Sequence, residues 1–455
     1  MLKRLKITLT RLFTPQRIFL LSFGGVILLG AFLLWHPFSS PEGHLNFIDA
    51  LFTATSAVCV TGLTVIDLGK ELTLTGQLIT LLLFQIGGLG IVTFSVLLFG
   101  LMGRGISFKG REIIHSTFLP TPGGDFFLLI KRVFTYTFVI EGIGTLFLFL
   151  KFIGEMPLFR AFYFALYHAV SAFNNCGFSL FANSLMDYQG DWFLNSIVMA
   201  LIIIGGIGFF VQQEVLDYWK GKRKSISLHT RLVLLTTLFL IVTGGVAFYL
   251  FEMQYLLKEK SLTQSFLISV FQSVTARTCG FNTVDIGELT NPTILVLLIL
   301  MFIGASPGST GGGIKTTSFA LLILIIINQL RGSERVNIFH RTIPQETIVK
   351  VITLIFAAFV LTGAIASLLL FLGESGGVTP QASRHLFVEY VFEATSAFGT
   401  VGLSMGITHK LNDLQKLAII FLMFAGRVGP LTLAFSLHAA KKKGLTYAEE
   451  TIMVG

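Results

Sequence analysis

Ser273-Val-Thr-Ala-Arg-Thr-Cys-Gly-Phe-Asn282 is a short segment in which a glycine is followed by an apolar residue and then a small polar one. The same order recurs at Ala54–Thr64, Ala169–Ser179 and Ala394–Ser404. Aligned on Gly62, Gly177, Gly280 and Gly402, the next pairs are Leu63-Thr64, Phe178-Ser179, Phe281-Asn282 and Leu403-Ser404, and a long apolar stretch lies beyond each glycine. One isolated glycine would say little. Four in register, across segments that otherwise differ, point to an internal repeat arranged around an axis. Four such turns facing one axis can present stacked backbone carbonyls in place of an ion's hydration shell.

The rest of the chain has the composition of a membrane protein. Of its 455 residues 53% are hydrophobic and only 13% charged, and the mean hydropathy is +0.79. That leaves too little polar surface to cover a soluble domain of this size. Apolar stretches of bilayer-crossing length, about 20 residues, occur near 18–36, 74–101, 131–153, 193–219, 229–251, 291–327, 348–372 and 416–437, which predicts eight spans. No short apolar core with a small-residue cleavage site opens the chain, so 18–36 reads as a retained helix. The N-terminal segment, the loops 102–132, 220–231 and 331–350 and the C-terminal tail hold 22 of the 33 Lys and Arg. Basic residues stay in the cytoplasm, so both termini are expected there. Acidic residues show the reverse bias, 15 outside against eight inside. A negative outer face attracts cations, although the positive-inside rule alone can produce much of this asymmetry.

Each repeat has one order: a span, an apolar segment too short to cross, the glycine, and a second span. The short segments, Asn46–Val58, Arg160–Asn174, Leu262–Ala276 and His385–Phe398, fit helices that enter halfway from outside. Irregular backbone at membrane depth is tolerated only where protein buries it or water lines it. The predicted fold is therefore an all-α integral membrane protein, with four helix, pore-loop, helix repeats around a pseudo-fourfold pore: eight transmembrane spans plus four re-entrant pore helices. The repeats are placed at 1–101, 102–219, 220–330 and 331–455, the last with a cytoplasmic tail.

Small-residue clusters recur 24 to 28 residues beyond each repeat glycine: Gly87-Gly88-Leu89-Gly90, Gly205-Gly206-Ile207-Gly208, Gly304-Ala-Ser-Pro-Gly308 and Gly426-Arg-Val-Gly-Pro430. Such glycines mean either close helix packing or a kink lining an inner pore. The third cluster departs further, because its apolar stretch, 292–327, is much longer than a span. In its middle stand Gly304, Ala305, Ser306, Pro307, Gly308, Ser309, Thr310, Gly311, Gly312, Gly313 and, after Ile314, Lys315. Proline removes a donor and each glycine costs about 1 kcal/mol relative to alanine, so the helix must break here, and the resulting intramembrane loop is a candidate gate. Its likeness to a phosphate-binding loop fails because Ile314 separates glycine from lysine and no strand precedes it.

The expected carbonyl ring is Val60, Thr61 and Gly62; Asn175, Cys176 and Gly177; Thr278, Cys279 and Gly280; and Thr400, Val401 and Gly402. The short helices end at the ring, so their negative C-terminal dipole ends favour a cation there. Asp67 and Asp285, each five residues beyond a repeat glycine, either concentrate cations at the outer mouth or cap the following turns. Lys315 and Arg427 lie where charge is expensive. Arg427 is expected either to project into the pore or bind the broken loop, or to form an ion pair with Glu393 or Glu141; Lys315 reads as a flank residue reaching the inner surface, and Glu141 as paired. Cys59, Cys176 and Cys279 have no zinc spacing and read as small packed side chains. The basic runs Lys220–Lys224 and Lys441–Lys443 anchor the topology, contact anionic lipids or dock a soluble partner.

On Ser273–Asn282, Gly304–Lys315 and Gly426-Arg427, the chain resembles the Trk/Ktr/HKT superfamily of potassium transporters, most nearly the bacterial Ktr-type membrane subunit, over almost its whole length. The resemblance implies K⁺ uptake across the bacterial inner membrane through a single filter with K⁺ at the ring residues, gating by the third-repeat loop, and a homodimer of two separate pores. It also implies a separate cytosolic ring of nucleotide-binding regulatory subunits docked on the basic inner face, and Na⁺ as a modulator, with no site for it assignable here. Members whose first filter glycine is serine favour Na⁺; Gly62 argues for K⁺. No cofactor and no nucleic-acid partner are expected.

An alternating-access symporter is the rival reading. Such carriers usually show inverted repeats meeting a midplane site with ionisable residues, whereas these repeats all run in the same direction, which favours a pore. An enzyme would need a clustered His, Asp and nucleophile set, which the sequence lacks. A voltage-gated channel would need regularly spaced arginines on one helix.

Overall fold

The computed structural model describes residues 15–43, 45–90, 126–333, 335–374 and 380–430. The expectations for both termini, the basic run Lys441–Lys443, most of the loop 102–132 and the far ends of stretches 74–101 and 416–437 lie outside the described residues. The long elements in chain order are α1 Pro15–Trp35, α2 Phe47–Cys59, α3 Leu74–Leu89, α4 Phe126–Phe152, α5 Leu158–Phe173, α6 Trp192–Gly206, α7 Phe209–Trp219, α8 Leu228–Glu252, α9 Leu262–Thr275, α10 Asn291–Phe302, α11 Thr316–Leu330, α12 Gln345–Glu374, α13 Pro380–Gly399 and α14 Asp413–Val428. The short helices α2, α5, α9 and α13 match the four expected re-entrant segments; α13 begins five residues earlier than expected.

Packing places four similar units in a cycle. The short helix of each unit packs against the helix before it: α2 against α1, α5 against α4, α9 against α8 and α13 against α12. Each also packs against the last helix of the preceding unit: α3 on α5, α6 on α9, α10 on α13 and α14 on α2. The fourth contact closes the circle. It is pinned by an ion pair, Lys416 Nζ to Asp49 Oδ1 at 2.6 Å, joining α14 to α2.

Burial is arranged as expected for a chain with lipid outside. The outer helices expose large apolar side chains, among them Leu28, Leu146, Leu238, Phe356 and Phe359, while Thr53, His168, Gln272 and Glu393 on the short helices are fully buried. The interior holds polar as well as apolar groups, and large apolar side chains face outward in numbers a soluble surface does not carry.

Among the described residues, three single helices are long and apolar enough to cross a membrane: Lys131–Phe152, Leu228–Glu252 and Gln345–Gly373. The stretch 193–219, expected to be one span, is two helices, α6 and α7, bent by 101°. The break falls at Gly208, whose φ of +95° only glycine adopts readily. A departure from the all-α expectation is a two-residue antiparallel hairpin, β1 Asn337–Ile338 with β2 Arg341–Thr342. Its turn residues, Phe339 and His340, both have positive φ, as a tight hairpin turn demands.

The glycine clusters settle the choice between packing and kinking in favour of both. A β-carbon on Gly87, Gly205 or Gly426 would overlap the carbonyl oxygen of Val58, Phe173 or Phe398 respectively. Each carbonyl belongs to the last turn of a short helix, so these glycines let neighbouring helices touch backbone to backbone. Gly426→Ala is therefore expected to destabilise the fold by about 1–3 kcal/mol, read as a lower midpoint of thermal unfolding in detergent. Gly142→Ala, where a β-carbon meets nothing within 4 Å, should leave that midpoint unchanged.

Candidate functional site

The four repeat glycines meet at the centre of the cycle. A β-carbon on Gly62 would overlap the carbonyl oxygen of Cys176, one on Gly177 that of Cys279, one on Gly280 that of Val401, and one on Gly402 that of Thr61. Each glycine thus abuts the residue just before the next repeat's glycine, and the sequence of contacts returns to its start. No side chain larger than hydrogen fits at any of the four without displacing the facing carbonyl.

The backbone of the turns repeats as well. The residue two before each glycine is left-handed, with φ of 55° at Val60, 58° at Asn175, 75° at Thr278 and 51° at Thr400. The glycines follow with φ between 74° and 94°. A left-handed conformation costs an ordinary residue about 1–2 kcal/mol, and three of these four are β-branched. Strain repeated in register marks a place where carbonyl direction is held by the surrounding structure.

The holding groups come from the last turn of each short helix, and the signal for them was present but unread: a Ser or Thr followed by Ala at Ser56-Ala57, Ser171-Ala172, Thr275-Ala276 and Ser396-Ala397. The Ser or Thr carbonyl accepts the N–H of the residue before the glycine: Thr61 to Ser56 at 2.8 Å, Cys176 to Ser171 at 2.8 Å, Cys279 to Thr275 at 3.0 Å and Val401 to Ser396 at 2.9 Å. The Ser56 and Ser396 hydroxyls also accept from the Gly62 and Gly402 amides, at 3.1 and 3.0 Å. The Ser171 and Thr275 hydroxyls instead donate to the Phe178 and Phe281 carbonyls, at 2.8 and 2.6 Å.

An open cavity of about 470 Å³ lies at one end of the turns, lined by the four glycines together with Asp67, Glu71 and Asp285. The capping expectation for the aspartates holds, and both also line the cavity. Asp67 accepts from the Gly69 and Lys70 amides and Asp285 from the Gly287 amide, so they cap turns while facing the cavity.

At the opposite end sits the loop 303–315. Ile303 and Ile314 bridge, closing its neck, with Gly304 N–H donating to the Ile314 carbonyl at 2.8 Å. The loop docks on the end of α6, where Ser306 and Thr310 amides donate to Gly206 and Gly205 carbonyls, and Gly308 accepts from the Phe209 amide. It also touches the turns directly: the Gly312 amide donates to Thr400 Oγ1 at 2.9 Å, and a β-carbon on Gly311 would overlap Thr278 Oγ1. Amides committed to these partners do not form a phosphate cradle.

Arg427 donates to the carbonyls of Thr310 and Gly87, tying loop to α3. The ion-pair alternative is not realised: Glu393 accepts from Ser404 and Thr408, and Glu141 from Gln85 and Asn174. The expectation for Lys315 is also corrected. Its ammonium folds back onto the loop, donating to the Gly311 carbonyl at 2.7 Å and that of Gly312 at 3.3 Å, because a charge in this position finds carbonyls nearer than water. The three cysteines are free and buried.

The profile of a cation transport protein family, TrkH, matches residues 21–443. The Ktr system potassium uptake protein B of Vibrio alginolyticus is 39% identical over 96% of this chain and 94% of its own, and its namesake in Bacillus subtilis 39% over 97% of both. The potassium/sodium uptake protein NtpJ of Enterococcus hirae is 37% identical over 97% of both. The crystal structure of the potassium transporter TrkH from Vibrio parahaemolyticus superposes with a TM-score of 0.70 at 19% identity, over 94% of this chain and 86% of that one, a likeness of fold. With its four-turn ring and broken third inner helix, the chain belongs to the TrkH family of cation transport proteins.

Proposed function

We propose that this chain is the K⁺-translocating membrane subunit of a bacterial uptake system, and that ions pass from the cavity through the four-glycine ring toward the loop 303–315. The observation that carries this reading is the closed cycle of four turns, each with a left-handed residue two before a glycine that admits no β-carbon. Carbonyls of Val60, Thr61 and Gly62 and their counterparts in the other repeats would replace the hydration shell of a monovalent cation. Four helix C-termini ending at the ring add negative potential. The names of the Ktr relatives support K⁺ as the ion, and that of the NtpJ relative suggests Na⁺ as a second ion or modulator.

The full layout in this reading has eight spans and four re-entrant helices in repeats 1–101, 102–219, 220–330 and 331–455, set in the inner membrane with both termini cytoplasmic. The chain acts as a homodimer of two pores. A separate cytosolic nucleotide-binding ring and anionic lipids contact the basic inner face, where Lys220, Lys222 and Lys224 are exposed.

The loop acts as the gate. It lies against Thr278 and Thr400 at the end of the turns away from the cavity and carries Lys315, while Arg427 clamps it to α3. At an effective dielectric of about 20, a unit charge roughly 8 Å from a passing cation adds about 2 kcal/mol of repulsion. Opening requires the loop to leave the turns and carry Lys315 with it.

Two measurements test the reading. Gly62→Ser puts a side chain against the Cys176 carbonyl and should lower the K⁺ over Na⁺ flux ratio by about tenfold, the loss of roughly 1.4 kcal/mol of discrimination; an unchanged ratio removes the ring as filter. Arg427→Ala, or deletion of 308–313, should raise K⁺ flux into liposomes several-fold. A well-folded variant with no gain would make the loop structural.

A further inference from the structure

Three short helices carry a large buried polar side chain at one level above the ring. His168 stands nine residues before Gly177, Glu393 nine before Gly402, and Gln272 eight before Gly280, where the third turn is one residue shorter. Their solvent exposures are 1%, 0% and 0%. Each reaches the strand that leaves its own repeat's glycine. His168 Nε2 lies 2.9 Å from Ser179 Oγ, Gln272 Nε2 donates to Thr283 Oγ1 at 3.2 Å, and Glu393 accepts from Ser404 Oγ at 2.8 Å and from Thr408 Oγ1. The partners are two or three residues past the glycine, with Thr408 six past, and Ser179, Ser404 and Thr408 line the cavity.

The chemistry at each is fixed by its neighbours. His168 Nδ1 lies 2.7 Å from the Phe164 carbonyl and must donate to it, which leaves Nε2 to accept from Ser179 and from the Leu180 amide. The ring of His168 is packed among Phe152, Phe164, Phe181 and Phe281 and cannot swing away. Glu393 has no cation among its hydrogen-bonding partners and spends both oxygens on hydroxyls of the outgoing strand. In the first repeat the equivalent residue, nine before Gly62, is Thr53, whose buried hydroxyl has no hydrogen-bond partner among the described residues. It is too short to reach the strand.

We propose that His168, Gln272 and Glu393 are positioning residues, three unlike struts that hold the outgoing strands of repeats two, three and four and so set the spacing of the ring's outer carbonyls. Repeat one has no strut and its strand is the compliant member. The proposal rests on the reading of the ring as the filter. Hydrogen bonds in a water-poor interior are stiff and costly to lose, and carbonyl cages discriminate ions through ligand number and field strength. A strut acts through the strand and touches no ion.

The test uses the full-length chain in liposomes and reads the K⁺ over Na⁺ flux ratio. Ser179→Ala and Ser404→Ala remove a strut's partner at half-buried sites that should fold normally. Each is expected to lower the ratio roughly two- to tenfold, the range set by one lost hydrogen bond. Thr64→Ala, at the corresponding place in the repeat without a strut, should leave it unchanged. The double variant Glu393→Ala with Ser404→Ala should fall no further than Glu393→Ala alone, since removing the carboxylate already cuts the links to both Ser404 and Thr408. Unchanged ratios in Ser179→Ala and Ser404→Ala, an equal loss in Thr64→Ala, or additive losses in the double variant would each overturn the proposal. Gly62→Ser in the same assay separates the two levels. If it alone shifts the ratio, the struts fail and the filter stands; if it does not, the filter reading itself fails.

Discussion

Four glycine α-carbons set against four carbonyl oxygens, each from the neighbouring repeat, form the contact on which the rest of this molecule depends. Because a β-carbon at Gly62, Gly177, Gly280 or Gly402 would overlap that oxygen, the distance between repeats at the axis is set by backbone alone. Side chains can then differ freely among the turns, and they do: Thr61, Cys176, Cys279 and Val401 occupy one position. The cost is paid in strain at Val60, Asn175, Thr278 and Thr400, and it is met by the Ser and Thr carbonyls at the ends of the short helices. The same need for backbone contact extends outward to Gly87, Gly205 and Gly426, which bring the following helices against the short ones.

The loop 303–315 shares this logic at the opposite end of the turns. Its amides and carbonyls are spent on α6, on α11 through the 3.3 Å bond from the Thr316 amide to Ala305, and on Thr400. The charged groups that reach its carbonyls are Arg427, on Thr310, and its own Lys315, on Gly311 and Gly312. Arg427 and Lys315 bind only carbonyls, and among the described residues neither is paired with a carboxylate. An ion pair would cancel the field that the proposed gate relies on. Glu141 and Glu393 are likewise kept from the cations, held by amide and hydroxyl donors instead.

Much of this was legible in the sequence because glycine and proline leave marks that composition cannot hide. The four turns, the short helices and the break after Phe302 all follow from them. Other features left weaker marks. The bend between α6 and α7 uses Gly205-Gly206-Ile207-Gly208, a pattern that close helix packing explains equally well. Val60, Thr278 and Thr400 are β-branched, the type least expected in a left-handed conformation, so tertiary structure overrides local preference there. The hairpin at 337–342 turns on Phe339-His340, without the Asn-Gly or Asp-Gly pair that signals such turns. For Arg427 the sequence offered both the broken loop and a carboxylate as partners and could not choose between them; the side chain binds the loop, through backbone carbonyls that are everywhere in a sequence and identify nothing.

In the proposed reading this polypeptide alone forms a passive, selective cation path. Cation flux into liposomes holding the purified chain, with K⁺, Rb⁺ and Na⁺ compared at equal gradients and no proton gradient, tests it most directly. Flux of K⁺ and Rb⁺ well above that of Na⁺ is the predicted result. Well-folded protein that stays silent until a proton or sodium gradient is imposed would contradict it and indicate an alternating-access carrier.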